Sequence, residues 1–218
     1  MVLLTAKNIT KSYGELQVLK GISLSIEASE IVSIVGASGA GKSTLLHILG
    51  TLDKADGGDI NIDGITLTKI NGSRLSRFRN HNIGFIFQFH NLLPEFNALE
   101  NVCIPGYIGN RNPKEVLERG KYLLERLGLS HRLEHKPGQL SGGEQQRVSV
   151  ARALVNAPKI VFADEPSGNL DSKNAEELHE LFFNLRKEFN QTFVIVTHNE
   201  QLADMADRKL EIKDGLII

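Results

Sequence analysis

The chain has 218 residues, with 25 Lys and Arg against 26 Asp and Glu and a net charge of -1, so it offers neither a basic footprint for nucleic acid nor an acidic tail. Its single cysteine, Cys103, excludes an internal disulfide, and no Cys/His set has zinc spacing, since His131 and His135 lack companion ligands. The apolar runs fall far short of the ~20 residues that span a bilayer, and the first ten residues carry no secretory pattern; a reducing cytosol and no direct membrane insertion are expected.

From the N-terminus, LLTAKNITKSY (3–13), VLKGISLSIE (18–27) and GGDINIDG (57–64) alternate or carry turn residues, which predicts a small antiparallel sheet. IVSIV (31–35), IGFIF (83–87), KIVFA (159–163) and TFVIV (192–196) are short β-branched runs of the kind buried on both faces of a mainly parallel sheet. Between Gln88 and Ala157 no strand is predicted; Asn112-Pro113-Lys114-Glu115 and Ser141 each signal a helix start, so the insert reads as all-helical. Ala175 to Phe189 puts Leu178, Leu181, Phe182, Leu185 and Phe189 on one helical face, a core stripe. One domain over 1–218 is expected, its core and β part covering about 1–88 and 157–218 and its helical part about 89–156.

Directly after IVSIV comes GASGAGKS, which fits G-x-x-x-x-G-K-[ST] between a strand and a helix. Gly36, Ala37, Ser38, Gly39, Ala40 and Gly41 form its loop; backbone N–H groups from Gly39 to Thr44 can encircle a phosphate, Lys42 can reach the β- and γ-phosphates, and the Ser43 hydroxyl can sit on Mg²⁺. A chance match in a chain this long is on the order of one in a hundred, and GASGAG does not supply the G-x-G-x-x-G of a dinucleotide site. At the carboxyl end of KIVFADE, Asp164 suits the metal shell and Glu165 can polarise an attacking water. LSGGEQQRVSVARAL (140–154) contains a second anion site: Ser141 and Glu144 have capping-box spacing, and Gly142 and Gly143 keep side chains off the free N–H groups of the first turn. That site has no lysine, metal ligand or base of its own.

LSGGEQQRVSVARAL resembles the signature helix of ATP-binding-cassette (ABC) ATPases, and GASGAGKS, KIVFADE, SGNLD (167–171) and Thr197-His198 keep that family's order over essentially the whole chain. The resemblance implies an α/β P-loop NTPase fold with a mainly parallel core, a small antiparallel β subdomain and an all-helical subdomain, and an ATPase using ATP and Mg²⁺. It further implies that Tyr13 stacks on adenine, that Gln88 senses Mg²⁺ and the membrane partner, and that His198 contacts the γ-phosphate. Two copies would pair head to tail, Ser141 to Glu144 of one binding the γ-phosphate held by the other, with Asp171 linking the sites. FHNLLPEFNALENVCIP (89–105) and ADEPSGNLD are similar to the branch serving lipoprotein release and macrolide export, with Ser167 where that branch carries Thr. The chain ends at Ile218 without a spanning segment, so a separate subunit, peripheral on the cytoplasmic face of the inner membrane and partnered by integral membrane subunits, is the first expectation; an exporter ATPase is the second, and a soluble non-transport ABC ATPase the third. Leu92, Leu93, Phe96 and Leu99 either line a groove for a helix of the membrane subunit or pack inside the helical part. No Asn-Lys-x-Asp guanine-reading motif is present.

Overall fold

A computed structural model describes residues 1–218. Val2–Tyr13 (β1) and Leu16–Glu27 (β2) pair antiparallel, and Gly57–Ile62 (β4) and Ile65–Thr66 (β5) extend them into a sheet of order β2-β1-β4-β5. The second sheet has the order β10-β9-β3-β8-β7-β6. Its strands are Ile31–Val35 (β3), Ile83–Phe87 (β6), Ile160–Asp164 (β7), Thr192–Val196 (β8), Arg208–Lys213 (β9) and Leu216–Ile217 (β10). All neighbours are parallel except β9 and β10.

Successive residues of a strand point to opposite faces, and here each face has its own core. Ile160, Phe162, Val194, Val196, Val32 and Ile34 pack with the antiparallel sheet and with Lys42–Leu49 (α1), while Val161, Ala163, Phe193 and Ile195 pack with helices. Those helices are Ala98–Ile108 (α3), Pro113–Arg126 (α4), Gly142–Leu154 (α5) and Ser172–Phe189 (α6). Burial on both faces is why the parallel strands read as unbroken apolar runs. Asn112 and Ser141 cap α4 and α5, the latter with a full capping box. Cys103 is fully buried in the helical core, and burial pushes its thiol up from the ordinary value.

Several elements lie outside the sequence expectations, the two-residue strands β5 and β10 among them. Gly72–Asn82 forms a helix (α2) whose buried face is Phe78 alone, too narrow for a helical period to stand out. Glu200–Met205 (α7) spans less than two turns. The strand β9 is an outer strand whose charged residues stay in solvent, with only Ile212 buried, so its place beside β3 leaves no apolar signature.

Candidate active site

The loop between β3 and α1 is shaped by glycine. Gly36, Gly39 and Gly41 have φ of 146°, 78° and 103°, and a side chain on Gly36 would run into the Ile212 carbonyl. Ala40 N donates to Ala37 O at 3.1 Å, closing a turn within the loop. Lys42 Nζ folds back on the same loop, donating to Gly36 O at 2.9 Å and Ala37 O at 3.0 Å. Ser38 is exposed and makes no side-chain contact that the loop geometry needs.

Because β7 lies two strands from β3 with β8 between them, its carboxyl end comes up beside α1. Ser43 Oγ donates to Asp164 Oδ1 at 2.9 Å, joining residues 121 apart in sequence. A hydroxyl and a carboxylate this close are oxygen donors of the kind Mg²⁺ prefers, so the residues fit that ion. On the adjacent turn of α1, His47 Nε2 stands 3.5 Å from Asp164 Oδ2, and this carboxylate raises the imidazole above its ordinary pKa.

Glu165 has a φ of 46°, a left-handed conformation that costs a non-glycine residue about 1–3 kcal/mol and recurs at functional sites. Its N–H donates to Val196 O at 2.9 Å, fixing it to the end of β8. There its Oε2 accepts from His198 N at 3.2 Å and lies 2.8 Å from His198 Nδ1. Glu165 is mostly buried and His198 is 72% exposed, so the imidazole faces outward from a carboxylate anchored within.

Gln88, at the end of β6, reaches the 167–171 loop: its Nε2 donates to Asn169 Oδ1 at 3.2 Å, and Asn169 Nδ2 donates to Gln88 O at 3.1 Å. Tyr13 ends β1, half exposed, near the foot of α1, where its hydroxyl donates to Asp53 Oδ2 at 2.7 Å. Thus GASGAGKS, Asp164, Glu165 and His198 gather at the carboxyl ends of β3, β7 and β8, the edge at which open α/β sheets bind ligands.

The Ser141 helix start belongs to a different part of the chain. Ser141 Oγ accepts from Glu144 N at 3.2 Å, and the Glu144 carboxylate accepts from Ser141 N and from Arg132 Nε, both at 2.8 Å. These bonds, the backbone one first, hold the Glu144 carboxyl below its ordinary value. Gly142 is exposed as the sequence reading requires, whereas Gly143 is buried: a side chain there would strike the Asn174 amide. The second glycine therefore also permits a close approach between helices. Asn174 in turn is held by Asp171, the N-cap of α6, which accepts from Asn174 N at 2.9 Å and Asn174 Nδ2 at 2.7 Å. Within one chain, Asp171 thus reaches the signature helix through Asn174.

Several connecting residues escaped the sequence reading. Gln146, fully buried, donates from Nε2 to Pro166 O at 2.7 Å and accepts from the His90 ring, tying α5 to the residue after Glu165 and to the segment after Gln88. Arg152 donates to His90 O and Asn91 O, each at 2.6 Å. Polar positions on an otherwise apolar helical face were the available signal. Of the four apolar residues following Gln88, Leu99 is buried and Leu92 packs against the helical core, while Leu93 and Phe96 are exposed and Phe89 joins them at 71% exposure. The packing alternative holds for Leu92 and Leu99 because α3 and its lead-in turn them inward.

The chain matches the family described as ABC transporter over residues 19–168. It is 65% identical to the lipoprotein-releasing system ATP-binding protein LolD of Cytophaga hutchinsonii, with 99% of each chain covered. It is 60% identical to the LolD protein of Bacteroides fragilis, over 97% of this chain and 98% of the other. Among solved structures, it superimposes with a TM-score of 0.89 and 42% identity on an ATP-binding cassette in a dimeric, post-hydrolysis state bound to ADP and Pi, covering 99% of this chain and 96% of that one.

Proposed function

The chain belongs to the ABC transporter family, and on that premise we propose that this ABC-type ATPase powers lipoprotein release as the ATP-hydrolysing subunit of a membrane complex. The observation that carries the chemistry is the convergence of Ser43 with Asp164 and of Glu165 with His198 beside the glycine loop. Lys42 exchanges its two loop carbonyls for phosphate oxygens and holds the triphosphate in line. Glu165 accepts a proton from the attacking water, and His198, resting on that carboxylate, presents its other face to the γ-phosphate. Ser43 and Asp164 would hold Mg²⁺, with Gln88 completing the set. When bound, this ion neutralises charge on the phosphates.

The helix start at Ser141 supplies N–H donors but no cation of its own other than Arg132, which is engaged with Glu144. It suits a phosphate already fixed elsewhere, and the dimeric state of the similar cassette supports a head-to-tail pair of this chain in which it meets the partner copy's γ-phosphate. The exposure of Phe89, Leu93 and Phe96 supports a contact there with integral membrane subunits and, with it, a peripheral seat at the inner membrane. No helix is long and apolar enough to cross a membrane.

Substitution Lys42→Ala tests the ATPase assignment. Charge-assisted hydrogen bonds worth about 1.5–3 kcal/mol each imply a loss of roughly ten- to a hundredfold or more in ATP affinity or turnover. Ser38→Ala should cost far less, and comparable losses in titration and ATPase assays would overturn the loop's role. Reconstitution in vesicles with the copurifying membrane subunits tests the release step: ATP-dependent discharge of acylated proteins is expected, and stimulation by macrolides instead would favour the exporter reading.

A further inference from the structure

Tyr13 is an aromatic residue at a strand end, half exposed, and such a side chain ordinarily samples several rotamers. Here it is tethered. Its hydroxyl donates to Asp53 Oδ2 at 2.7 Å; Lys11 Nζ donates to Asp53 Oδ1 at 3.0 Å and to Lys54 O at 2.7 Å. The same ammonium stands 5.0 Å from the centroid of the Tyr13 ring, over its face. Asp53 is itself rooted on α1, its N–H donating to His47 O at 3.2 Å. Three residues on, Asp56 Oδ2 accepts from Ser12 N at 2.6 Å and Asp56 N donates to Thr10 O at 2.9 Å. The end of β1 is thereby clipped to the helix that begins at Lys42.

This arrangement is costly to build for packing alone. Lys11 is buried to 8% exposure, and its charge is matched chiefly by Asp53. With a cation over one face and half of the residue exposed, the opposite face is the one left to take a flat base. The tether also removes rotamer freedom before a ligand arrives, and such preorganisation strengthens binding without adding a contact. Mutual hydrogen bonding raises the Tyr13 phenol and lowers the Asp53 carboxyl from their ordinary values, as a neutral hydroxyl donating to a carboxylate requires.

We infer that Asp53 is a positioning residue for base recognition, holding Tyr13, through its hydroxyl and together with Lys11, as a preformed platform for the adenine of ATP. The inference rests on the reading of Tyr13 as that platform. The Asp53 side chain makes its hydrogen bonds to Tyr13, Lys11 and Lys54 and none to the loop of residues 36–43, so its direct contacts lie at the base end of the nucleotide.

The test is binding by the intact chain of two probes, ATP and inorganic tripolyphosphate, which has no base, with steady-state ATPase measured in parallel. Asp53→Ala should weaken ATP three- to tenfold and raise KM to the same degree, leaving kcat within about twofold and tripolyphosphate affinity unchanged. Asp53→Asn, whose amide oxygen still accepts from the phenol, should recover most of the loss. Tyr13→Phe, which leaves the Lys11–Asp53 pair intact, should show the share of the loss that the phenol bond carries, and adding it to Asp53→Ala should change little because that variant has already lost the bond. Unchanged ATP affinity in Tyr13→Phe, equal losses for the two probes in Asp53→Ala, or additive losses in the pair would each overturn the inference. Tyr13→Ala should cost roughly fivefold to a hundredfold through lost stacking. If that variant binds ATP normally, the platform itself is refuted; if it fails to bind while Tyr13→Phe and Asp53→Ala are both normal, only the positioning role is refuted.

Discussion

Ser141 caps α5, and substitution can separate that duty from the phosphate contact proposed for it. As N-cap of α5 it accepts from Glu144 N at 3.2 Å, and in a head-to-tail pair its hydroxyl and the neighbouring N–H groups would face the partner copy's γ-phosphate. Ser141→Ala removes the cap, costing about 1 kcal/mol, which in a chain of this size lowers Tm by roughly 2–4 °C. Ser141→Asp keeps a side-chain acceptor as good as serine, so Tm should stay within about 2 °C of the parent. It nevertheless places a carboxylate against the phosphate. At about 4 Å and an effective dielectric near 20, like unit charges repel by ~4 kcal/mol, and a symmetric pair contains two such sites. The background should be Glu165→Gln, which retains ATP but slows hydrolysis and therefore lets an ATP-dependent dimer accumulate. Light scattering after size exclusion, at matched concentrations with ATP or ADP, should give dimer for the parent with ATP only, a weakened dimer for Ser141→Ala, and monomer for Ser141→Asp. Ser141→Arg should also give monomer, by bulk rather than charge, and ATP should bind every monomer normally. A dimer that persists undiminished in Ser141→Asp would show that this helix start meets no phosphate, however stable the variants prove.

Charged replacements at exposed Phe89, Leu93 or Phe96 should reduce membrane-subunit binding and stimulated ATPase while nucleotide affinity and Tm hold, whereas Leu99→Asp, on the buried face of α3, should lower Tm and solubility; loss of stability in all four would defeat the docking role. Gly36→Ala should abolish ATP binding, because the side chain would meet the Ile212 carbonyl and φ is 146°, and titration of a still-folded variant with normal affinity would contradict the loop geometry. The depressed Glu144 carboxyl stabilises the fold above its unfolded pKa of about 4.5 and ceases to do so as pH falls through its lower folded value. Denaturant curves of Glu144→Gln against the parent should therefore differ by under about 1 kcal/mol at pH 7 and converge below pH 4.5; a gap that widens on acidification would refute the Arg132–Glu144 pairing.

The phosphate loop was legible in the sequence because its chemistry is local: consecutive N–H groups, glycines with positive φ and a lysine one turn on all fall within GASGAGKS. The capping box at Ser141 and the helix start at Asn112 were legible for the same reason, since each is satisfied within three residues. The parallel strands showed themselves as apolar runs because both faces are buried. The strand β9 and the helix α2 did not, since one buried residue in a charged segment makes no pattern.

Pairings across long separations depended on the fold. Ser43 meets Asp164, Glu165 meets His198, Tyr13 meets Asp53 and Gln146 meets Pro166 only after strand order brings the segments together, and no spacing rule specifies such partners. The burial of Gly143 against Asn174 is of the same kind, since no feature of the LSGGE segment names the helix that packs there. Sequence by itself therefore determined the glycine loop and the helix starts, because those bonds close along the chain. Tertiary structure alone decided which side chains hold those residues in place, because their partners are neighbours only in space.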